Sequence, residues 1–178
     1  MTSASVPRRQ TSAGSSLSHK ARNTASGTLA GIGLAAFIDE TVFHQLLHWH
    51  HFYDRSTTRV GLVSDGLFHA FGWFAAVGGL FLLADVRRRG VRRLAPWWGA
   101  VMIGAGGFQF FDGSINHKLL RVHQIRYEQI PILQSAGRGP YTPHRDLLVY
   151  DIVWLLVALA LIAVGTWLWR RRGRAHHA

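Results

Sequence analysis

The chain has 178 residues, of which 48% are apolar, and it carries seven Trp, ten Phe and a formal net charge of +11. The absence of cysteine excludes disulfides, thiolate metal sites and iron–sulfur clusters, and two Met are too few for a Met-rich Cu(I) site. Any metal ion bound by this chain would therefore be held by imidazole nitrogen and oxygen atoms.

The positive charge is concentrated in three short clusters. Thirteen of the twenty Lys and Arg lie before residue 23, in "VRRRGVRR" at 86–93 and in "RRRGR" at 170–174. Each cluster flanks a long apolar run, which is typical of an integral membrane protein and not of a basic groove for nucleic acid. The sequence thus predicts the lipid bilayer, and no nucleic acid, as a partner.

The apolar runs define the predicted domain organisation. The segment 1–24 is polar, Ser-rich and without periodicity, which predicts a disordered cytoplasmic tail. Residues 25–170 are predicted to form the transmembrane domain, and 171–178 a basic cytoplasmic tail. Four segments approach the roughly 20 apolar residues that a spanning helix needs, and they cover about 27–48, 65–85, 96–120 and 147–169. The fold class expected is an all-α, polytopic membrane protein with four transmembrane helices.

The distribution of Lys and Arg also predicts the orientation. The N-terminal segment, the loop at 87–93 and the C-terminal "RRRGR" are basic and should face the cytoplasm, whereas the loops 49–64 and 121–146 mix charges and should face outward. Trp side chains that could anchor the helix ends at the membrane interface stand at 97, 98, 167 and 169. We therefore expect a multi-pass protein of the cytoplasmic (plasma) membrane with both termini inside.

Two parts of the chain align without a gap. "GIGLAAFIDETVFHQLLHWHHF" (31–52) and "GAGGFQFFDGSINHKLLRVHQI" (104–125) share two Gly, Phe, Asp, a Leu-Leu pair and two His at identical spacing. The segments that follow correspond more weakly and pair Asp65 with Asp151. This pattern predicts a duplicated helical hairpin, a parallel repeat related by a pseudo-twofold axis along the membrane normal.

Ionisable residues repeat within the predicted spans, where they are costly and typical of functional sites. Three imidazoles with nearby carboxylates match known metal-ligand sets. The predicted metal ligands, in the outer half of the bundle, are His44, His69, His117, Asp65 and Asp151. The residues expected as a deeper polar pair or as hydrogen-bond partners of the ligands are Asp39, Asp112 and Glu40. Peripheral candidates at the helix exits and loops are His48, His50, His51, His123 and His144.

Three stretches carry a resemblance to a known family. "FIDETVFHQLLHWHH", "DGLFHAFGW" and "FFDGSINHKLLRVHQIR" resemble bacterial inner-membrane proteins grouped as domain of unknown function 2243, over about residues 27–168. The chain departs from the family pattern at Glu40, where Gly is usual, and at Gln124, where a second His is usual. The family has no settled activity, so the resemblance implies an architecture and not a reaction. The polar positions that it implies are Asp39, His44, His50, His51, Asp65, His69, Asp112, His117, His123 and Asp151.

Three functions remain open from the residues alone. The first is binding of a transition metal ion (copper, zinc or iron) for metal handling or for support of a respiratory enzyme, with a respiratory or metal-trafficking protein as a candidate partner. The second is electron transfer by one haem between His44 and His117 as axial ligands. The third is a proton or ion path that uses Asp39 and Asp112. An enzyme with an open metal coordination position is a further hypothesis, for which the sequence identifies no substrate.

Overall fold

The computed structural model describes residues 12–90, 94–127 and 147–171, and its long elements are helices. Helix α1 covers Ser12–Asp39 and continues directly into a π-helix at Glu40–Leu46, which we call the first π segment. Helix α2 covers Thr58–Arg88, and α3 covers Leu94–Phe111 before it continues into the second π segment, Asp112–Leu120. Helix α4 covers Leu147–Arg171. The described chain is therefore all-helical, with four long helices.

Two of these helices, α2 and α4, are long and apolar enough to cross a membrane. Large apolar side chains cover their outer faces, and Phe81 is 72% exposed and Leu148 70% exposed. By contrast, the largest fully buried side chains of the described chain include His44, His117 and His123. Apolar residues outside and polar residues inside are expected where lipid, not water, surrounds the bundle.

The helices pack closely through small residues. Helix α1 packs against α2 and α3, and α3 also packs against α4. At Gly31 a Cβ atom would come within 2.0 Å of the Val101 carbonyl oxygen, and at Gly104 it would come within 2.2 Å of the Thr28 carbonyl oxygen. Glycine at both positions lets the backbones of α1 and α3 touch, which is a common way to pack helices in membranes. Helices α1 and α3 therefore form the centre of the bundle.

The observed helix bounds differ from the predicted ones at both ends of the first helix, at the start of the second and at the end of the third. Helix α1 begins at Ser12, inside the segment for which a disordered tail was predicted, and its Ser26 hydroxyl donates to the Gly79 carbonyl at 2.8 Å. Helix α2 begins at Thr58, where the Thr57 hydroxyl accepts the Val60 amide. The first and third helices end as π segments, so neither runs as a regular α-helix to its predicted end.

Basic and aromatic side chains meet at one end of the bundle. Arg22 pairs with Asp85 at 3.3 Å, and the ammonium of Lys20 lies 5.0 Å from the ring centre of Trp169. The buried histidines lie at the opposite end, after the last turns of α1 and α3. The two ends of the bundle thus have different chemistry, one basic and one rich in His and carboxylate.

Candidate metal centre

The π segments bring together residues that an α-helix would separate. At 3.6 residues per turn, side chains five apart point about 140° away from each other. In a π-helix the repeat is i to i+5, so these side chains stack on one face. Asp112 and His117 are five apart and have Oδ2 and Nε2 3.0 Å from each other, and the matching atoms of Asp39 and His44 are 3.8 Å apart. Each π segment therefore points a carboxylate and an imidazole at the same place.

Each π segment is followed by a residue in the left-handed backbone conformation. These residues are His48 (φ 50°) and Arg121 (φ 51°), and they stand 73 positions apart in the sequence. Such backbone is unfavourable for residues other than Gly. In both segments it turns the chain sharply, so that the following loop folds back over the end of the bundle. That turn carries His50 and His123 into the interior, where they are 4% and 0% exposed.

The two loops hold each other through reciprocal hydrogen bonds. The Nδ1 atom of His50 donates to the Ile125 carbonyl at 2.9 Å, and the Nδ1 atom of His123 donates to the Phe52 carbonyl at 2.8 Å. A second pair joins the backbones, from the Asp54 amide to the Val122 carbonyl and from the Tyr127 amide to the Trp49 carbonyl, both at 3.0 Å. The carbonyl acceptors fix which ring nitrogen of His50 and of His123 carries hydrogen.

Four imidazole rings lie together beneath these loops. The ring centres of His50 and His123 are stacked 4.6 Å apart. His44 lies 4.4 Å from His50, and His117 lies 4.7 Å from His123. Among the described residues, the buried Nε2 atoms of His44, His50 and His123 have no hydrogen-bond partner, while that of His117 lies 3.0 Å from the Asp112 carboxylate. Burying a nitrogen atom without a hydrogen-bond partner costs its hydration free energy and gains no bond in exchange. A ligand bound at these atoms would therefore be favourable.

Carboxylates surround the ring of His44. Its Nδ1 atom lies 2.8 Å from Glu40 Oε2 and 3.1 Å from Asp65 Oδ1. Asp65 also accepts from the His51 ring at 2.6 Å and from the Phe52 amide at 2.7 Å. The carboxylates therefore orient the imidazole and direct its Nε2 atom towards the centre of the cluster.

Burial keeps the loop histidines neutral. It lowers the pKa of His50 well below its ordinary value and lowers the pKa of His123 to about 4, with the neighbouring imidazoles adding to the effect. Both rings are therefore uncharged at pH 7 and offer a lone pair on Nε2. A neutral imidazole with its other nitrogen hydrogen-bonded is the form in which histidine binds metal ions.

Several groups of three residues have the geometry of metal ligands. One ligand atom from each of Asp39, His44 and His50 can lie within 4.8 Å of the other two, and the same holds for His50, His117 and His123. A third group consists of Glu40, His44 and Asp65. Imidazole combined with carboxylate suits zinc, copper or iron.

The structure brings together part of the ligand set predicted from sequence. His44, His117 and Asp65 are in the cluster, and so are Asp39, Asp112 and Glu40. Two predicted ligands lie apart from it. His69 is exposed on α2 with its ring 5.1 Å from that of Phe37, and Asp151 pairs with the exposed Lys118.

The loop residues are placed differently from their predicted peripheral positions. His50 and His123 lie at the centre of the cluster and His51 binds Asp65, whereas His48 is exposed and His144 lies outside the described residues. The spacing Asp-x4-His-x5-His, which occurs at 39–50 and again at 112–123, was the signal that could have found both loop histidines.

Comparison with known proteins identifies a family. Residues 26–137 match the model of a family described as predicted membrane protein (DUF2243), the domain of unknown function 2243. No curated protein and no solved structure matches the chain.

Proposed function

The chain belongs to this family of predicted membrane proteins, and we propose that it binds a transition metal ion (copper, zinc or iron) in the cluster of buried His and Asp. The main support for the proposal is the hydrogen bonding of the two ring nitrogens in these histidines. In His44, His50 and His123 the Nδ1 atom has an oxygen acceptor, while the buried Nε2 atom has no partner among the described residues. Metal-bound histidines have this arrangement, because the second hydrogen bond fixes the tautomer and orients the ring.

The packing of the rings favours an ion over a haem. His50 and His123 stack 4.6 Å apart and lie beside His44 and His117, respectively. A macrocycle with His44 and His117 as axial ligands would need the volume that these two rings occupy. A metal ion needs only the space between the Nε2 atoms.

The interior of the bundle disfavours a proton path across the membrane. Between the cluster and Ser26, the buried residues of α1 and α3 are small or apolar, and they include Ala30, Ala36, Ala100 and Val101. A relay of protons needs ionisable or hydroxyl groups at short intervals. We therefore assign the cluster to metal handling or to support of a respiratory enzyme, both of which need a site on one side only.

We also infer that all four helices span the membrane as a parallel repeat with both termini inside. Residues 73 positions apart have equivalent backbone contacts: Gly31 lies against Val101, and Gly104 lies against Thr28. The loops exchange hydrogen bonds with the same offset. The basic end of the bundle would face the cytoplasm, and the cluster would face outward.

Labelling can test this topology, because the chain has no cysteine of its own. Arg55→Cys places a thiol on an exposed position at the cluster end, and Arg88→Cys places one at the basic end. In intact cells, a membrane-impermeant maleimide should label the first variant and should label the second only after permeabilisation. The reverse pattern would overturn the orientation.

Metal analysis tests the site itself. The full chain is purified in mild detergent without chelator, and its metal content and visible spectrum are measured beside those of His44→Ala, His117→Ala and the control His69→Ala. Bound copper, zinc or iron that falls in the first two variants and stays in the control would support the proposal. A Soret band lost in both variants would indicate haem instead, and a metal-free protein that does not take up added metal would refute metal binding.

A further inference from the structure

We propose that the cluster holds two metal ions, one in each of two half-sites. The first half-site consists of Asp39, His44 and His50, and the second consists of Asp112, His117 and His123. This inference rests on the proposed function, because it concerns the number and arrangement of ions in the same cluster. Each half-site offers two imidazoles and one carboxylate, a ligand set that binds divalent metals with coordination positions left open.

The separations of the ligand atoms fit one ion in each half-site. At metal–ligand distances near 2.1 Å, two ligands of one ion lie about 3.0 to 3.4 Å apart. In the second half-site, Asp112 oxygens lie 3.0 Å from the His117 Nε2 atom and 3.6 Å from the His123 Nε2 atom. In the first, the Asp39 Oδ2 atom lies 3.8 Å from the His44 Nε2 atom. The ligand atoms of Asp39, His44 and His50 all lie within 4.8 Å of one another, so the side chains of each half-site would contract around an ion.

Four buried carboxylates surround the cluster. Asp39, Glu40, Asp65 and Asp112 are each at most 3% exposed. Their described side-chain contacts are His, Gln45 and Asn116, with no Lys or Arg among them. Uncompensated buried charge is strongly destabilising, so cations bound beside these carboxylates would stabilise the cluster.

The two ions would lie close to each other. The His50 ring is 4.6 Å from that of His123 and 6.1 Å from that of His117, so the half-sites share one wall. Known two-metal sites place their ions about 3.5 to 4 Å apart, often with a carboxylate near both. Ions at such a distance influence each other magnetically, which gives a signature that separate sites lack.

The half-sites should differ in affinity. The Nδ1 atom of His44 is hydrogen-bonded to Asp65 and lies 2.8 Å from a Glu40 carboxylate oxygen, whereas the Nδ1 atom of His117 has no hydrogen-bond partner among the described residues. Partners of this kind raise metal affinity about 10- to 100-fold. The first half-site should therefore fill before the second.

A Co²⁺ titration of the metal-free full chain in detergent tests the proposal. Visible absorbance and bound metal are followed for the wild type, for the double variants Asp39→Ala/His44→Ala and Asp112→Ala/His117→Ala, and for the control His69→Ala. We expect two equivalents in the wild type and control, taken up in two steps at least tenfold apart in affinity, and one equivalent in each double variant. The variant of the first half-site should keep only the weaker step.

The possible results distinguish a failure of the two-ion arrangement from a failure of metal binding. One equivalent in the wild type that both double variants abolish would overturn the two-ion arrangement and leave metal binding intact. No bound Co²⁺ in the wild type would overturn both. If a double variant fails to elute as a single species, the wild type decides alone, because the electron paramagnetic resonance spectrum of two neighbouring Cu²⁺ ions is coupled and that of isolated Cu²⁺ is not.

Discussion

The two His-bearing segments share a backbone and differ in their surroundings. Both run from a regular helix into a π segment, pass through a left-handed residue and return a histidine to the interior. Around His44 stand Glu40 and Asp65, and Asp65 also holds His51. Around His117 the corresponding places have Gly113, Asp151 and Gln124, and Asp151 pairs with Lys118.

This difference separates the features that both segments need to place a carboxylate beside an imidazole from the features that only orient the imidazole ring. The stacked carboxylate and imidazole occur in both segments, because the π-helix imposes them on the sequence Asp-x4-His. Of the two π-segment histidines, only His44 has carboxylates beside its Nδ1 atom. We therefore expect separate residues to set the position of the ligands and the affinity for a metal ion, so that a substitution can change one without the other.

The largest expected difference is between Asp65 and Asp151, the acidic residues at the start of α2 and α4. Asp65 is 1% exposed and accepts three hydrogen bonds. Asp65→Ala should destabilise the protein by about 3 kcal/mol or more, because it leaves the rings of His44 and His51 and the Phe52 amide without their hydrogen-bond acceptor. Asp151→Ala removes a contact with the exposed Lys118 and should cost about 1 kcal/mol or less. Thermal unfolding in detergent, followed by circular dichroism, measures both, and equal losses would contradict the asymmetry.

Removing Glu40 should make the first segment resemble the second. Glu40→Ala removes the carboxylate oxygen that lies 2.8 Å from the His44 Nδ1 atom, and it should weaken Co²⁺ binding at the tighter site about tenfold. Gln45→Ala is the matched control, since Gln45 contacts Glu40 from the exposed side and has no described contact with His44. A Glu40→Ala variant with the wild-type dissociation constant would show that Asp65 alone orients the ring.

The glycines at the α1–α3 contact should be equivalent. A methyl group at Gly31 or Gly104 would meet the backbone of the facing helix, so Gly31→Ala and Gly104→Ala should each destabilise the protein by about 1 to 3 kcal/mol. Gly107→Ala is the control in the same helix, because its added Cβ meets nothing within 4 Å. It should leave the unfolding temperature unchanged or raise it slightly. Unequal losses of stability in Gly31→Ala and Gly104→Ala would contradict the equivalence of the two segments at this contact.

The smallest effect is expected at the left-handed turns. His48→Gly and Arg121→Gly each relieve an unfavourable positive φ, which is partly offset by the greater freedom of Gly in the unfolded chain. Each should raise the free energy of unfolding by about 1 kcal/mol or less, measured by the same unfolding experiment. A marked loss at either position would show that its side chain contributes more than the turn does.

Much of the fold could be predicted from the sequence. Long apolar runs bounded by Arg indicate helices whatever their neighbours, and α2 and α4 are long and apolar enough to cross a membrane. The repeat predicted His44 and His117 as ligands, with Asp39 and Asp112 as a deeper pair or as hydrogen-bond partners, and in the structure Asp39 lies beside His44 and Asp112 beside His117. The matched family agrees with the resemblance carried by the same motifs.

The rest could not be predicted, because it depends on backbone that departs from the α-helix. At 100° per residue, Asp39 and His44 point in different directions, and only the π-helix aligns them. His50 and His123 seemed peripheral because each follows the end of its helix. A left-handed turn at His48 or at Arg121 returns them to the interior, and neither residue type indicates such a turn in a sequence. Similarly, the spacing of α2 cannot reveal that His69 faces outward while Asp65 faces the cluster.

The exchange of hydrogen bonds between the loops has a consequence for assembly. The ring of His50 is held by a carbonyl of the second segment, and the ring of His123 by a carbonyl of the first. A fragment that ends between α2 and α3 would contain half of the imidazoles, each without its anchor. The cluster is thus completed only when the two halves dock, so a fully formed cluster indicates that the whole bundle has assembled correctly.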